Sequence, residues 1–240
     1  MNTVGFSKNK VKVVAHRGLS GIECENTCAA FVAAANRSYW GIETDVHVTK
    51  DGKIIVFHDD LTERMAGKKK TVEKTKYSYL KKLLLKNPKY NEYRTDYHMP
   101  DLVDYITICK KYDKIAVLEI KNEMEEKYIK KIVDEISGLD YIQSTVFISF
   151  KVETLITLRK YLPDAKMQFL TSKEDIDDIY KILDEYRFDL DIKYRSLTDE
   201  MVRKVHDMGL EVNCWTCDDK YDADKLVAMG VDYITTNILE

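Results

Sequence analysis

The sequence predicts an α/β fold, a (β/α) barrel of the TIM type. Three observations predict it: eight short β-rich runs, amphipathic helical stretches between most of them, and a length of 240 residues. Alternating strands and helices argue a parallel sheet wrapped by helices, and eight strands allow that sheet to close. Barrels of this kind are typically about 250 residues long. With 45% hydrophobic residues and no Pro/Gly/Ser-rich linker, residues 1–240 read as one barrel domain around one core.

The strands are expected at 11–17, 41–48, 114–120, 144–149, 165–170, 188–193, 210–216 and 233–236. Helical periodicity falls between them at Lys127–Ile136, Val152–Tyr161, Ile176–Leu183 and Met201–Met208. An alanine-rich helix spans Cys28–Ala35, with Asn26 read as its N-cap. The last strand is followed only by Asn237–Glu240, so no eighth outer helix is expected and the N-terminal tail could cover that interface. Residues 60–100 are too long for an ordinary connection. They hold Lys68-Lys69-Lys70, several tyrosines and a short helical stretch near Tyr77–Leu85, and read as an insertion over the barrel mouth.

A formal net charge of −3 and a pI near 6.0 give no basic field, so nucleic acid is not an expected partner. There is no secretory or membrane-length apolar segment, and the five cysteines are an odd number. A soluble, cytoplasmic protein with free thiols and no integral membrane association is therefore expected. Cys214 and Cys217 have Cys-x-x-Cys spacing, but residues three apart on a strand face opposite ways and no second pair of that spacing exists, which argues against structural zinc.

Barrel active sites form at the C-terminal ends of the strands, from inward-facing side chains. The first strand ends in His16-Arg17-Gly18, a titratable group beside a guanidinium suited to phosphate. On the second strand Glu43 and Asp45 are two apart and share a face. Two buried neighbouring carboxylates repel unless a cation intervenes, and a hard divalent ion such as Mg²⁺ or Ca²⁺ prefers oxygen ligands. Asp51-Gly52 then lies between β-type runs, the signature of a two-residue type I′ hairpin. In that register Lys50 pairs with Lys53, Val46 with Phe57 and Asp45 with His58, bringing His58 beside the carboxylates. His47 shares their face nearer the turn and is read as supporting or solvated. On the next barrel strand Glu119 could complete a three-carboxylate metal site, with Lys121 facing a bound anion or simply pairing with Glu119. Asn213 and Trp215 share a face near the C-terminus, where Trp215 either packs on a small alcohol group or fills the core.

The run of His16-Arg17-Gly18, Glu25-Asn26-Thr27, Gly41-x-Glu43-x-Asp45-Val46, Thr49-Lys50-Asp51-Gly52 and Val56-Phe57-His58-Asp59 resembles the glycerophosphodiester phosphodiesterase family. Met99-Pro100-Asp101-Leu102, Leu118-Glu119-x-Lys121, Ser149-Phe150 and Trp215-Thr216 extend the resemblance across nearly the whole chain, in family order. Leu61-Thr62 before Arg64, and Asp101 after Met99-Pro100, depart from the family's usual pattern.

The resemblance implies a TIM barrel, a divalent metal, and cleavage of a small-molecule glycerophosphodiester to glycerol 3-phosphate and an alcohol. It implies that His16 and His58 are the general acid and base, and that Glu43, Asp45 and Glu119 ligate the metal. Arg17 and Lys121 then contact phosphate, and Trp215 packs on substrate. The glycerol 2-hydroxyl attacks first, giving a cyclic phosphate that water opens. Three rival readings are a lysophospholipase D-like enzyme with Tyr93, Tyr97 and Met99 forming an apolar mouth, a barrel that only binds a phosphoester, and a two-carboxylate glycosidase. The last leaves both histidines and Arg17 without a role.

Overall fold

The computed structural model describes residues 2–87, 89–172 and 176–240. Eight parallel strands close a barrel: β1 (Lys12–Ala15), β2 (Gly41–Val48), β6 (Ile115–Ile120), β7 (Thr145–Ser149), β8 (Lys166–Thr171), β9 (Asp189–Lys193), β10 (Val212–Trp215) and β11 (Tyr233–Thr236). β1 pairs with both β2 and β11, which removes any free edge from the ring. Each of the eight expected strands is present, 41–48 and 233–236 as expected and the others with ends moved by at most two residues.

A principal helix follows each of the first seven barrel strands: α1 (Cys28–Ala35), α4 (Leu102–Lys111), α5 (Glu126–Gly138), α6 (Val152–Tyr161), α7 (Ile176–Tyr186), α8 (Asp199–Asp207) and α9 (Lys220–Met229). Their apolar faces meet the outward strand residues, such as Ile42, Val46, Leu118, Phe147, Leu190 and Cys214, in the main hydrophobic core. The alternate residues turn inward, where Val14, Val117, Val146, Ile148, Leu170 and Tyr233 fill the barrel and Trp215 packs against them. Trp215 thus faces the lumen. After β11 the chain pairs with the N-terminal tail: Val4 bridges Leu239, and Leu239 is fully buried.

The first helix is capped by Thr27, whose hydroxyl accepts from Ala30 N, and not by Asn26. Asn26 instead adopts a positive φ of 53° and sends its amide to the second strand. The cap moves because a buried carboxylate there needs a donor, and Thr27 can serve the helix equally well.

The β2–β3 hairpin, with β3 at Ile54–Val56, is one residue out of the expected register. Val46 pairs with Val56, His47 with Ile55 and Val48 with Ile54. Gly52 alone takes a positive φ, 73°, and its N–H reaches Thr49 O. That is a type I turn closed by a left-handed glycine, a three-residue loop in place of the two-residue type I′ turn. Asp51 does not take a positive φ, and its carboxylate accepts from Thr49 Oγ1 and Tyr77 N.

Between β3 and α4 lie α2 (Glu63–Ala66), α3 (Tyr77–Leu80) and the small strands β4 (Lys86–Asn87) and β5 (Glu92–Tyr93). The helical stretch expected near 77–85 is thus a single turn. This region builds its own small core on the outer face of the hairpin, from Met65, Val72, Leu80, Leu83, Leu85, Tyr97 and Met99 against Ile55, Phe57 and Cys24. Tyr97 and Met99 are about fully buried, at 1% and 0% exposure, so the apolar mouth expected of them is absent; Tyr93 is exposed.

Candidate active site

Period-two alternation sets the site's geometry. On β2, Ile42 and Val46 face the helices while Glu43 and Asp45 turn into the lumen; on β6, Leu118 and Ile120 face out while Glu119 turns in. The β2–β6 register sets Asp45 directly opposite Glu119. One ligand atom from each of Glu43, Asp45 and Glu119 lies within 4.8 Å of the others, and all three residues are buried.

Three carboxylates this close cannot all ionise without a cation. Burial, and then the charge of Asp45, raise Glu43 well above the ordinary range and lift Glu119 to about 8. Burial would raise Asp45 too, but Arg17, His58 and Lys121 hold it below the usual range, so the negative charge settles there. Asp45 Oδ1 has no hydrogen-bond partner. An all-oxygen donor set with excess negative charge fits a hard divalent cation. The cluster is therefore able to coordinate a divalent metal. The cysteines take no part: all five are free, with Cys214 facing the outer core.

Arg17 follows β1 in a tight turn, with φ 53° at Arg17 and 75° at Gly18. A Cβ on Gly18 would lie 2.7 Å from Ala30, so only glycine lets the turn pack on α1. The turn aims Arg17 N at Glu43 Oε2, 2.7 Å away, and sets its guanidinium between Glu25 (2.8 Å) and Asp45 (3.8 Å). Arg17 Nε itself has no hydrogen-bond partner. Lys121 lies 2.8 Å from Glu119 and 3.6 Å from Asp45. Asn26 Nδ2 donates to Asp45 Oδ2 at 2.8 Å, and Thr44 Oγ1 fixes Asn26 in turn.

His16 Nδ1 lies 2.8 Å from Asn237 Oδ1, whose amide nitrogen donates to Asp218. That fixes the Asn237 oxygen as acceptor, so His16 carries its proton on Nδ1 and leaves Nε2 free. Burial, then the charge of Arg17, lower its pKa to about 4, which keeps the ring neutral. His58 is oriented differently: Nδ1 lies 2.7 Å from Asp59 Oδ1. Arg64 clamps Asp59 at 2.6 Å and also grips Glu25, which in turn holds Arg17. A continuous chain of hydrogen bonds and ion pairs thus joins His58 to Arg17.

A cavity of about 320 Å³ at the C-terminal end of the barrel brings together His16, Arg17, Glu43, His58 and Glu119. Its far wall is Ile148, Leu170, Asp191 and Trp215, with Phe150 at the rim. None of the described residues of the 60–100 segment lines it. A larger and more open groove of about 470 Å³ beside the hairpin holds neither catalytic histidine candidate nor a carboxylate cluster of this kind.

The shifted hairpin still delivers His58 to the cavity, because Phe57 N bonds to Asp45 O and His58 lies just past the paired strand. His47 is not solvated. It is fully buried, with Nε2 3.2 Å from His58 O and Nδ1 3.1 Å from Glu73. Five residues of the site were not given roles from the sequence: Glu25, Asp59, Arg64, Asn237 and Asp191. The first three lie in matched or nearby motif segments, so their spacing was visible while their contacts were not. Asp191 had one available signal, its inward parity near the end of β9.

A closed barrel with a buried three-carboxylate cluster able to coordinate a divalent metal, flanked by two histidines and an arginine, is the arrangement of a phosphodiesterase. Residues 16–240 match the model of the glycerophosphoryl diester phosphodiesterase family. A glycerophosphodiester phosphodiesterase from Caldanaerobacter subterraneus is 29% identical over 234 residues, covering 95% of this chain and 94% of that protein. Among solved structures, an Oleispira antarctica phosphodiesterase in complex with the product sn-glycerol-3-phosphate superposes with a TM-score of 0.84 at 25% identity, over 94% of this chain and 92% of that one. A Thermotoga maritima glycerophosphodiester phosphodiesterase gives 0.77 at 26% identity, over 95% and 94%. The chain belongs to the glycerophosphoryl diester phosphodiesterase family. Among the described residues no helix is long and apolar enough to cross a membrane.

Proposed function

We propose that this protein hydrolyses soluble glycerophosphodiesters to glycerol 3-phosphate and an alcohol, with His16 and His58 as the proton-transfer pair. The observation that carries the reading is the pairing of two histidines in complementary settings on one cavity. His16 is held neutral with Nε2 free, and His58 is backed by the Asp59 carboxylate. Glu43, Asp45 and Glu119 would hold the divalent ion, Mg²⁺ or Ca²⁺, and when bound it would stabilise charge developing on the phosphoryl oxygens.

The chain's own residues do the rest. Arg17, with its unpaired Nε, binds a phosphoryl oxygen, and Lys121 supplies a second positive charge beside it. His16 Nε2 accepts the proton of the glycerol 2-hydroxyl as that oxygen bonds to phosphorus. His58, its Nδ1–H anchored on Asp59, gives a proton from Nε2 to the departing alcohol oxygen. Water then opens the cyclic phosphate with the proton transfers reversed. Trp215 packs on the substrate's carbon skeleton. Residues 1–240 act as one catalytic barrel, with 60–100 as its insertion. Free cysteines support a reducing, cytoplasmic setting.

The test is a coupled assay for glycerol 3-phosphate release from glycerophosphocholine and its relatives, run with EDTA and then with Mg²⁺ or Ca²⁺ restored. Product should return with metal, be absent in Glu43→Ala, and fall by roughly 10²–10⁴ in His16→Ala or His58→Ala. An undiminished rate in either histidine variant would sink the assignment.

A further inference from the structure

We propose that Asp191 and Trp215 together read the free terminal hydroxyl of the glycerol moiety, and so select deacylated glycerophosphodiesters over lysophospholipids. The inference rests on the phosphodiesterase reading of this cavity and names the substrate class it admits.

Six buried side-chain polar atoms among the described residues lack a hydrogen-bond partner. Buried polar atoms are normally paired, so each exception needs a reason. Four of the six belong to cavity-lining residues or to the metal cluster, and they fall into two sets. Arg17 Nε and Asp45 Oδ1 sit at the phosphate and metal end. Asp191 Oδ1 and Trp215 Nε1 belong to the opposite wall.

The second pair sits on neighbouring strands. Asn213 is in register with Asp191, and Trp215 is two residues further along the same face. Asn213 does not serve Asp191: its Nδ2 donates to Gln168 Oε1 at 3.0 Å and its Oδ1 accepts from Thr235 Oγ1 at 3.1 Å. Leu170, in register on the other side, has no polar group to offer. Asp191 is 1% exposed, so bulk water does not satisfy it either.

One orphan is a donor only, the indole N–H, and the other is a carboxyl oxygen. A hydroxyl satisfies both at once, accepting from Trp215 and donating to Asp191. An ammonium group carries donors only and would leave the indole N–H unmatched. A quaternary ammonium has no N–H for Asp191 at all. The chemistry of the pair is therefore that of an alcohol.

The substrate offers two free hydroxyls on its glycerol half. The proposed reaction uses the 2-hydroxyl as nucleophile, which leaves the terminal one for recognition. Asp191 lies deep on its wall, 1% exposed beside Ile148 and Leu170 at 3% and 4%. A deep carboxyl suits the small, constant end of the substrate, while the variable alcohol faces the open mouth. In a 1-acyl lysophospholipid this hydroxyl is esterified: it has lost its hydrogen for Asp191, and its acyl chain would have to pass between these buried side chains.

The experiment compares glycerophosphocholine with its analogue lacking the terminal hydroxyl, and with 1-acyl lysophosphatidylcholine, on the metal-loaded wild type, Asp191→Leu and Asp191→Asn. The wild type should favour glycerophosphocholine over the deoxy analogue by roughly 10–100-fold in kcat/KM, because that analogue leaves two buried groups unpaired. Asp191→Leu should lose most of that preference, and Asp191→Asn, whose amide still bonds a hydroxyl, should keep much of it. The wild-type comparison stands even if Asp191→Leu fails to fold. Equal turnover of the two diesters by the wild type would overturn the inference and leave the phosphodiesterase reading intact. So would an Asp191→Asn defect confined to choline and ethanolamine esters and absent with glycerophosphoglycerol, which would make Asp191 a cation site. Failure of the metal-loaded wild type to cleave any glycerophosphodiester would instead overturn the phosphodiesterase reading, and this inference with it.

Discussion

Asp45 faces Glu119 directly across the β2–β6 pair, and Lys121 Nζ bridges them, 3.6 Å from one carboxylate and 2.8 Å from the other. A lysine in that position offsets only part of the charge of a three-carboxylate cluster. Burial and Asp45 raise Glu119 from the ordinary 4.5 to about 8. The metal-free folded chain therefore keeps a proton that the unfolded chain releases between those values. This contribution to stability is full below about pH 4.5 and is lost as the pH rises through about 8. Ion binding needs the same carboxylates deprotonated, so the stabilisation it brings should grow over that window. Saturation at about 100 times Kd contributes about 2.7 kcal/mol. Melting curves with and without Mg²⁺ or Ca²⁺, at about pH 5 and about pH 8, should show a larger rise in Tm at the higher pH. A rise independent of pH would place the ion elsewhere.

His16 should remain neutral well below the pH at which an ordinary histidine charges. Burial, then Arg17, lower it from 6.5 to about 4. The unfolded chain gains this proton first as the pH falls, so the stability tied to a neutral His16 is present above about 6.5 and lost as the pH falls through about 4. NMR titration of His16 in the folded protein should give a midpoint below about 5. A midpoint near 6.5 would mean that His16 is solvated and that the Asn237 contact does not fix its tautomer. Asn237→Leu should lower kcat by roughly 10-fold or more by freeing the ring, with KM changed less.

How much of this was legible in the sequence depends on what each residue's position required. The barrel strands were readable because alternation and turn punctuation are local. Glu43, Asp45 and Glu119 followed, since side-chain parity on a strand is fixed by counting. The hairpin register was not readable: Asp51-Gly52 is compatible with two turns that differ by one residue, and the choice is made by the Thr49 hydroxyl and the Tyr77 N–H, which both donate to Asp51, the second from a distant segment. Asn26 looked like a helix cap because its long-range partner Asp45 is invisible locally. The buried state of His47 likewise needs Glu73, 26 residues away, and could not be inferred from strand parity alone.

The described residues of the 60–100 segment reach the site through Arg64 rather than by lining the cavity. Arg64 joins Asp59, which backs His58, to Glu25, which holds Arg17. It is itself 39% exposed, so its pairs add little to stability. Arg64→Ala should therefore leave Tm nearly unchanged while lowering kcat/KM by roughly 10-fold, because both His58 and Arg17 lose a brace. Arg64→Lys should recover only part of the loss, since one ammonium cannot grip two carboxylates in the geometry of a guanidinium. A full recovery by lysine would reduce the role of Arg64 to bulk charge.

His47 supplies the second brace on His58, from behind. Its Nε2 lies 3.2 Å from the His58 carbonyl oxygen, and its Nδ1 is held by Glu73, which also accepts from Asn122 Nδ2 at 2.9 Å. Asn122 follows Lys121 at the end of β6 and bonds to Asp60 as well. This network, buried at His47 and reaching the surface at Asp60, ties the two carboxylate-bearing strands to the loop that carries His58. His47→Phe keeps the ring's bulk and removes both ring-nitrogen contacts. It leaves the His58 carbonyl oxygen without this partner, which costs about 1–3 kcal/mol for a buried acceptor, while the part-exposed Glu73 keeps its bond from Asn122 Nδ2. Beyond that loss, kcat should fall by roughly 10-fold at temperatures where the variant remains folded, with KM changed less, because the displaced group acts on a proton and not on substrate affinity. Glu73→Gln, which still offers an acceptor to His47, should sit between the wild type and His47→Phe. An equal fall in stability with kcat untouched would show that the network supports the hairpin but does not position His58.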